Sequence, residues 1–295
     1  MLDYSGVYTA MITPFKEDGN VDYKKLEELI EFQIEKGITG LVFGGTTGEG
    51  MLIKDILTYY KKIISLVKNR VKVILTVFDF NKDLLTDKIR VLNKLKFDAY
   101  LINTPYYLNT SQKGIIEYYR YIDSIINKPF ILYYNPGRSN QFITLKTWEY
   151  IMKLKKFIGV KDASLNSGYN IKLMNLMKDY HYFSGNDSMY YQHLTLESNG
   201  IISSLSNALP ELFIKLYFMI KNKEYLLSSK IFKKYASLIS VINSEPNPIG
   251  IKYFMNLLGY NIGKPLFPLV EYSSIYQIKL KAIYKEILNE NINYW

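Results

Sequence analysis

Lys161, Tyr133 and Arg138 are side chains able to work on a carbonyl compound, and each stands beside a run that would hold it in place. Lys161 comes directly after Phe157-Ile158-Gly159-Val160, an apolar run of strand length. A lysine at the end of a buried strand loses solvation, which favours the neutral amine that imine chemistry on a ketone requires. The same placement also fits a solvated lysine at a strand end. Tyr133, Tyr106 and Tyr107 offer hydroxyls that give and take protons, yet in a chain with 28 tyrosines each also reads as packing. Arg138, just past Asn135-Pro136-Gly137, has the planar fork that grips a carboxylate, and it equally fits a solvated loop. Gly44-Gly45-Thr46-Thr47-Gly48-Glu49-Gly50 is either an ordinary tight turn or a nest of backbone N–H groups and hydroxyls suited to a carboxylate. It lacks the Lys-Ser/Thr of a phosphate loop and the spacing of a dinucleotide fingerprint.

Composition narrows the chemistry further. The 295 residues contain no cysteine and two histidines, His181 and His193, so thiol nucleophiles and thiolate metal sites are excluded. No helical histidine pair or Asp-rich loop suggests a metal, and none is expected. The net charge of +10 invites a nucleic-acid reading, but only four basic residues are arginine: Arg70, Arg90, Arg120 and Arg138. Base and phosphate recognition leans on arginine, so nucleic acid is not the expected partner. The N-terminal segment Met1-Leu2-Asp3-Tyr4-Ser5 lacks the pattern of a signal peptide, and no apolar stretch is long enough to span a bilayer. A soluble, cytoplasmic protein without a membrane partner is expected.

These residues need elements to position them. Short β-rich runs occur at Val7 to Thr13, Gly40 to Phe43, Val71 to Val77, Ala99 to Ile102, Phe130 to Tyr134, Phe157 to Val160, Tyr182 to Ser184 and Gly200 to Ser203. Amphipathic stretches such as Tyr23 to Lys36 and Ile171 to Lys178 alternate with them, which implies parallel strands joined by helical crossovers. Eight such units predict an α/β fold, a (β/α)8 barrel over about residues 1–222. A helical extension over about 223–295 would add helices at Lys223 to Ile242, Ile249 to Leu258 and Leu269 to Leu288. No linker divides the chain, so a single unit is expected. In such a barrel the loops after the strands form the active face, and the unusual segments all follow strands.

Taken in order, Gly45-Thr46-Thr47-Gly48-Glu49, Thr104-Pro105-Tyr106-Tyr107, Tyr133 to Arg138, Gly159-Val160-Lys161-Asp162-Ala163, Ser184-Gly185-Asn186-Asp187 and Glu245-Pro246-Asn247-Pro248 form a set. The set resembles the class I pyruvate-dependent aldolases of the dihydrodipicolinate synthase and N-acetylneuraminate lyase family. The resemblance covers nearly the whole chain. It implies that Lys161 condenses with pyruvate, that Tyr133 is the general acid/base, and that Thr46 connects Tyr133 to a Tyr107 reaching in from a neighbouring subunit. It implies that Thr47 and its amide hold the pyruvate carboxylate, and that main-chain groups near Gly185 and Ile202 line the pocket. Arg138 marks the branch that binds the carboxylate of aspartate semialdehyde; sialic acid lyases usually lack it. The resemblance further implies no cofactor and a homo-oligomer, a dimer or tetramer. An aldolase or lyase of a sugar acid is the rival on the same scaffold, and a non-catalytic basic binding protein is the rival of another class. Inhibited relatives bind lysine through a glutamate where this chain has Leu84, with Asp55 and Thr58 at the other positions and the bulky turn Phe78-Asp79-Phe80 adjoining. Weak or absent feedback inhibition is therefore expected.

Overall fold

The structure is a computed structural model that describes residues 3–289; Met1, Leu2 and residues 290–295 of the segments read above lie outside the described residues. Eight strands run in chain order: β1 (Gly6–Ala10), β2 (Gly40–Phe43), β3 (Lys72–Val77), β4 (Ala99–Asn103), β5 (Phe130–Tyr134), β6 (Phe157–Asp162), β7 (His181–Ser184) and β8 (Gly200–Ser203). Each pairs in parallel with its neighbours, and β8 returns to β1 to close the barrel. The expected (β/α)8 architecture is what the chain adopts. Strands buried on both faces explain the apolar runs, because helices cover the outer face while the strands fill their own interior.

Alternation along the strands separates two cores. Val42, Ile74, Leu101, Ile131, Phe183 and Ile202 point inward, where the Tyr8 and Phe183 rings meet edge-on with centroids 5.6 Å apart. Leu41, Leu75, Ile102, Leu132 and Val160 point outward against the helices. Six of those helices begin on a side chain that accepts a backbone N–H: Asp22, Asp55, Asn81, Ser111, Thr144 and Asn166. Each such cap stabilises its helix start by about 1 kcal/mol and fixes where a loop must end.

Three of the boundaries that differ from the sequence reading bear on the site. The first strand stops at Ala10 rather than Thr13; Met11 to Thr13 leave the sheet but stay buried beneath the glycine-rich loop, with Thr13 Oγ1 donating to the Gly48 carbonyl at 2.7 Å. Burial, not pairing, makes that stretch apolar. Lys161 and Asp162 belong to β6 instead of following it, and pair with Phe183 and Ser184 of β7. The last helix is Ser274–Asn289 instead of starting at Leu269, since Phe267, Pro268 and Leu269 form a turn that reaches the barrel mouth.

Beyond β8 the chain is helical: Pro210–Lys221, Tyr225–Ile242, Ile249–Leu257 and Ser274–Asn289. A buried ion pair joins this extension to the mouth. Lys252 Nζ lies 2.6 Å from Glu49 Oε1, with the two side chains 1% and 0% exposed. The second Glu49 oxygen accepts the Leu266 N–H at 2.6 Å, and Lys252 donates to the Lys264 carbonyl at 3.0 Å. Removing one partner from a pair this buried costs about 3–5 kcal/mol, so the pair ties the loop after β2 firmly to the C-terminal helices.

Candidate active site

The loop after β2 is folded so tightly that glycine is required. Gly44 has φ +70°, and a Cβ on Gly50 would lie 1.9 Å from the Gly44 carbonyl oxygen. Glu49 between them adopts the left-handed region at φ 51°, a strain held by its buried ion pair. The turn thereby presents Thr46 to a cavity of about 350 Å³ at the C-terminal end of the barrel. Gly45, Asn103, Tyr106, Tyr133, Arg138 and Asn247 share that wall.

Lys161 stands deeper, 7% exposed, on the inward face of β6. Its Nζ is 4.5 Å from the centre of the Tyr133 ring on β5, where Tyr133 and Lys161 are register partners. Burial lowers the lysine pKa from its ordinary value, and Arg138 lowers it further; the charges of Tyr133 and Asp187 oppose this without cancelling it. For Tyr133, burial pushes the phenol up, but Lys161, the Asn135 side chain, Arg138 and Thr46 outweigh it and leave its pKa below the usual tyrosine value. Asn135 Nδ2 donates to the Tyr133 hydroxyl at 3.0 Å, and Thr46 hydrogen-bonds it as well. The pair thus favours exchange of a proton between an amine and a phenol, the capability that imine chemistry needs.

The expected residues are not all at one surface. Thr46, Tyr133 and Arg138 line the cavity, whereas Thr47 lies behind it with its hydroxyl 2.8 Å from Ser204 Oγ and 2.9 Å from Asn247 Nδ2. Gly185 already donates its N–H to the Asp162 carbonyl at 2.6 Å, and Ile202 is packed in the barrel interior. Tyr107 is 88% exposed at φ 67° and does not line this cavity, while Tyr106 occupies the wall and stacks edge-on against Phe80 at 4.5 Å. Arg138 donates to the Asn247 carbonyl at 3.3 Å, which links the loops after β5 and β2 to the C-terminal segment.

Sequence reasoning missed several contributors. Asp187, on the turn after β7, is buried; its oxygens accept from Ser203 Oγ at 2.5 Å and the Leu205 N–H at 3.1 Å, and its charge faces Lys161. Burial raises its pKa. Asn135, Asn247 and the Glu49–Lys252 pair were likewise unassigned. A charged residue between two glycines, as at Glu49, was the one signal available for the pair; nothing local marks Lys252 among 37 basic residues. Among the described residues no group of three or more His, Cys, Asp or Glu side chains could hold a metal.

Comparisons with known proteins match this geometry to a family. The 4-hydroxy-tetrahydrodipicolinate synthase of Acetivibrio thermocellus is 33% identical over 270 residues, covering 91% of this chain and 92% of the relative. That of Clostridium perfringens is 34% identical over 274 residues, covering 91% and 93%. Among solved structures, dihydrodipicolinate synthase from Thermotoga maritima superposes with a TM-score of 0.91 at 27% identity, covering 97% of this chain and 99% of that one. The chloride-inhibited dihydrodipicolinate synthase from Acinetobacter baumannii, complexed with pyruvate, gives 0.90 at 27% identity over 96% and 98%. The family model described as the dihydrodipicolinate synthetase family matches residues 3–287, almost everything from the first strand to the last helix, and the chain belongs to that family.

Proposed function

We propose that this chain is a lyase of the class I aldolase type that condenses pyruvate with aspartate 4-semialdehyde to 4-hydroxy-tetrahydrodipicolinate, in lysine and diaminopimelate biosynthesis. The observation that carries the reading is the desolvated Lys161 amine beside the acidified Tyr133 phenol, under a cavity that also holds Arg138. The names of the relatives support it.

Lys161 Nζ attacks the pyruvate ketone, and the resulting carbinolamine loses water to leave an iminium. Tyr133 takes and returns the protons of that exchange, with Thr46 and Asn135 holding its hydroxyl in place. Loss of a methyl proton gives the enamine, whose carbon attacks the aldehyde; the aldehyde oxygen gains a proton and becomes the 4-hydroxyl. The amine of the semialdehyde then attacks the iminium carbon, closes the ring and releases Lys161. Arg138 holds the semialdehyde carboxylate, and Thr47 receives that of pyruvate through its backbone amide, its hydroxyl being committed to Ser204 and Asn247. Gly185 and Ile202 act by shaping the floor. No cofactor enters this scheme.

Tyr107 completes the proton relay from a neighbouring subunit, as its exposure and its separation from its own cavity suit. The enzyme is accordingly a homo-oligomer, a homotetramer assembled from such dimers, and works in the cytoplasm. No described helix is long and apolar enough to cross a membrane. The chain acts as one unit, its barrel reaching to about residue 222 and its helical extension from about 223. The test is a substrate panel: the enzyme condenses aspartate semialdehyde faster than it cleaves N-acetylneuraminate or a 2-keto-3-deoxy sugar acid. The reverse order would assign it to the sugar-acid lyases, and no turnover of any would leave a binding protein.

A further inference from the structure

Asn103 ends β4 on the inward face, two residues beyond Leu101, and is the register partner of Tyr133. It is 6% exposed and lines the cavity. Its Nδ2 donates to the Thr104 carbonyl at 3.0 Å, which fixes the orientation of the amide. Oδ1 therefore faces the other way, and no described group of the protein pairs with it. On the neighbouring strand β3, Thr76 is also buried, its Oγ1 is likewise unpaired, and it lies 3.5 Å from where a Cβ of the cavity-lining Gly45 would be. Leaving a buried acceptor unpaired is unfavourable unless a ligand completes it. Asn247 Oδ1 is unpaired too, but that residue is less buried and its amide nitrogen already serves Thr47 and Ser204.

We propose that Asn103, supported by Thr76, is a specificity-determining subsite that accepts a hydrogen bond from a donor on the second substrate, the ammonium of an α-amino aldehyde. The assignment deepens the function proposed above and rests on it. An amide oxygen of fixed orientation accepts and cannot donate, so the site selects for N–H or O–H and against a methylene. Arg138 lines the same cavity, so a carbon bearing both carboxylate and ammonium meets complementary groups on β4 and after β5. Asn103 takes no part in forming the pyruvate imine, because its amide N–H is committed to the Thr104 carbonyl and an amide does not change protonation.

The test compares aspartate semialdehyde with succinate semialdehyde, the same aldehyde without its amine, on the full-length enzyme. In Asn103→Leu, which keeps the branched shape, KM for aspartate semialdehyde rises roughly 10- to 100-fold, the loss expected for a hydrogen bond to a charged group. The inhibition constant of succinate semialdehyde against the pyruvate-loaded enzyme stays within about threefold, and borohydride still traps pyruvate on Lys161. If Asn103→Leu fails to fold, Asn103→Val, β-branched and suited to a strand, replaces it. A shift common to both aldehydes, or no shift in either, overturns the subsite. Failure of the wild-type enzyme to trap pyruvate would instead overturn the aldolase reading, so the two failures are distinguishable.

Discussion

Lys161 and Asp162 are neighbours on one strand, buried on opposite faces, and the protein treats them in opposite ways. Lys161 points into the barrel, where its amine has a phenol ring 4.5 Å away and a depressed pKa. Asp162 points out toward the helices, where Oδ2 accepts from the Tyr182 hydroxyl at 2.7 Å and Asn170 Nδ2 at 3.3 Å, and Oδ1 accepts the Ser164 N–H at 2.8 Å. The same Asn170 amide reaches His193 Nε2 at 3.1 Å, so Nε2 is the acceptor and Nδ1 carries the proton toward Ser184 Oγ at 3.0 Å. A fully partnered polar group holds the backbone still, whereas an under-partnered one is held ready for a ligand.

The sharpest way to break the comparison is Lys161→Met. It should abolish turnover, since no amine remains, yet raise stability by about 1 kcal/mol by removing a desolvated cation. The sign follows from linkage: with the folded pKa below 10.5, the unfolded chain binds more protons between the folded pKa and 10.5, so the gain is full below the folded pKa and vanishes above about pH 10.5. Denaturant melts at several pH values measure it. Arg138→Ala should preserve imine formation while lowering kcat/KM for the semialdehyde roughly 30- to 150-fold, read from steady-state kinetics.

On the outer face the effects should fall on stability. Asp162→Ala leaves Tyr182, Asn170 and Ser164 without their acceptor and should cost about 2–4 kcal/mol in urea unfolding. A milder probe is pH. Burial lowers the His193 pKa from 6.5 to about 4, so the folded state resists protonation that the unfolded chain accepts. Stability is whole above pH 6.5 and falls as pH drops toward 4, by roughly 3 kcal/mol from this residue, a slope that His193→Gln should remove. The smallest expected effect is that of lysine as a feedback inhibitor. Leu84 is 59% exposed and offers no charge, while Asp55 and Thr58 are tied together as a helix cap. Lysine titrated into the assay at subsaturating pyruvate should leave the rate nearly unchanged; strong inhibition below millimolar concentration would contradict this.

Much of this arrangement was legible in the sequence. Strand positions follow from β-rich runs bounded by capped helices, and the loops that carry Thr46, Tyr133 and Arg138 stand out by glycine, proline and arginine. What sequence hides is the direction of a side chain and its partners. Lys161 and Asp162 read as the polar end of a strand, because polar residues inside a sheet carry no local mark until the partners beyond it are known. Thr46 and Thr47 are adjacent and look equivalent, but the turn places one at the cavity and the other behind it against Asn247, 200 residues away. The Glu49–Lys252 pair is similarly distant in sequence, and no spacing rule connects residues that only the folded barrel brings together.

The proposed chemistry depends most on which lysine reacts. Incubation with pyruvate and borohydride, followed by peptide mass mapping, should place a single reduced adduct on Lys161, in a reaction whose rate rises with pH through a midpoint below the ordinary lysine value of 10.5. An adduct on another lysine, or none at all, would contradict it.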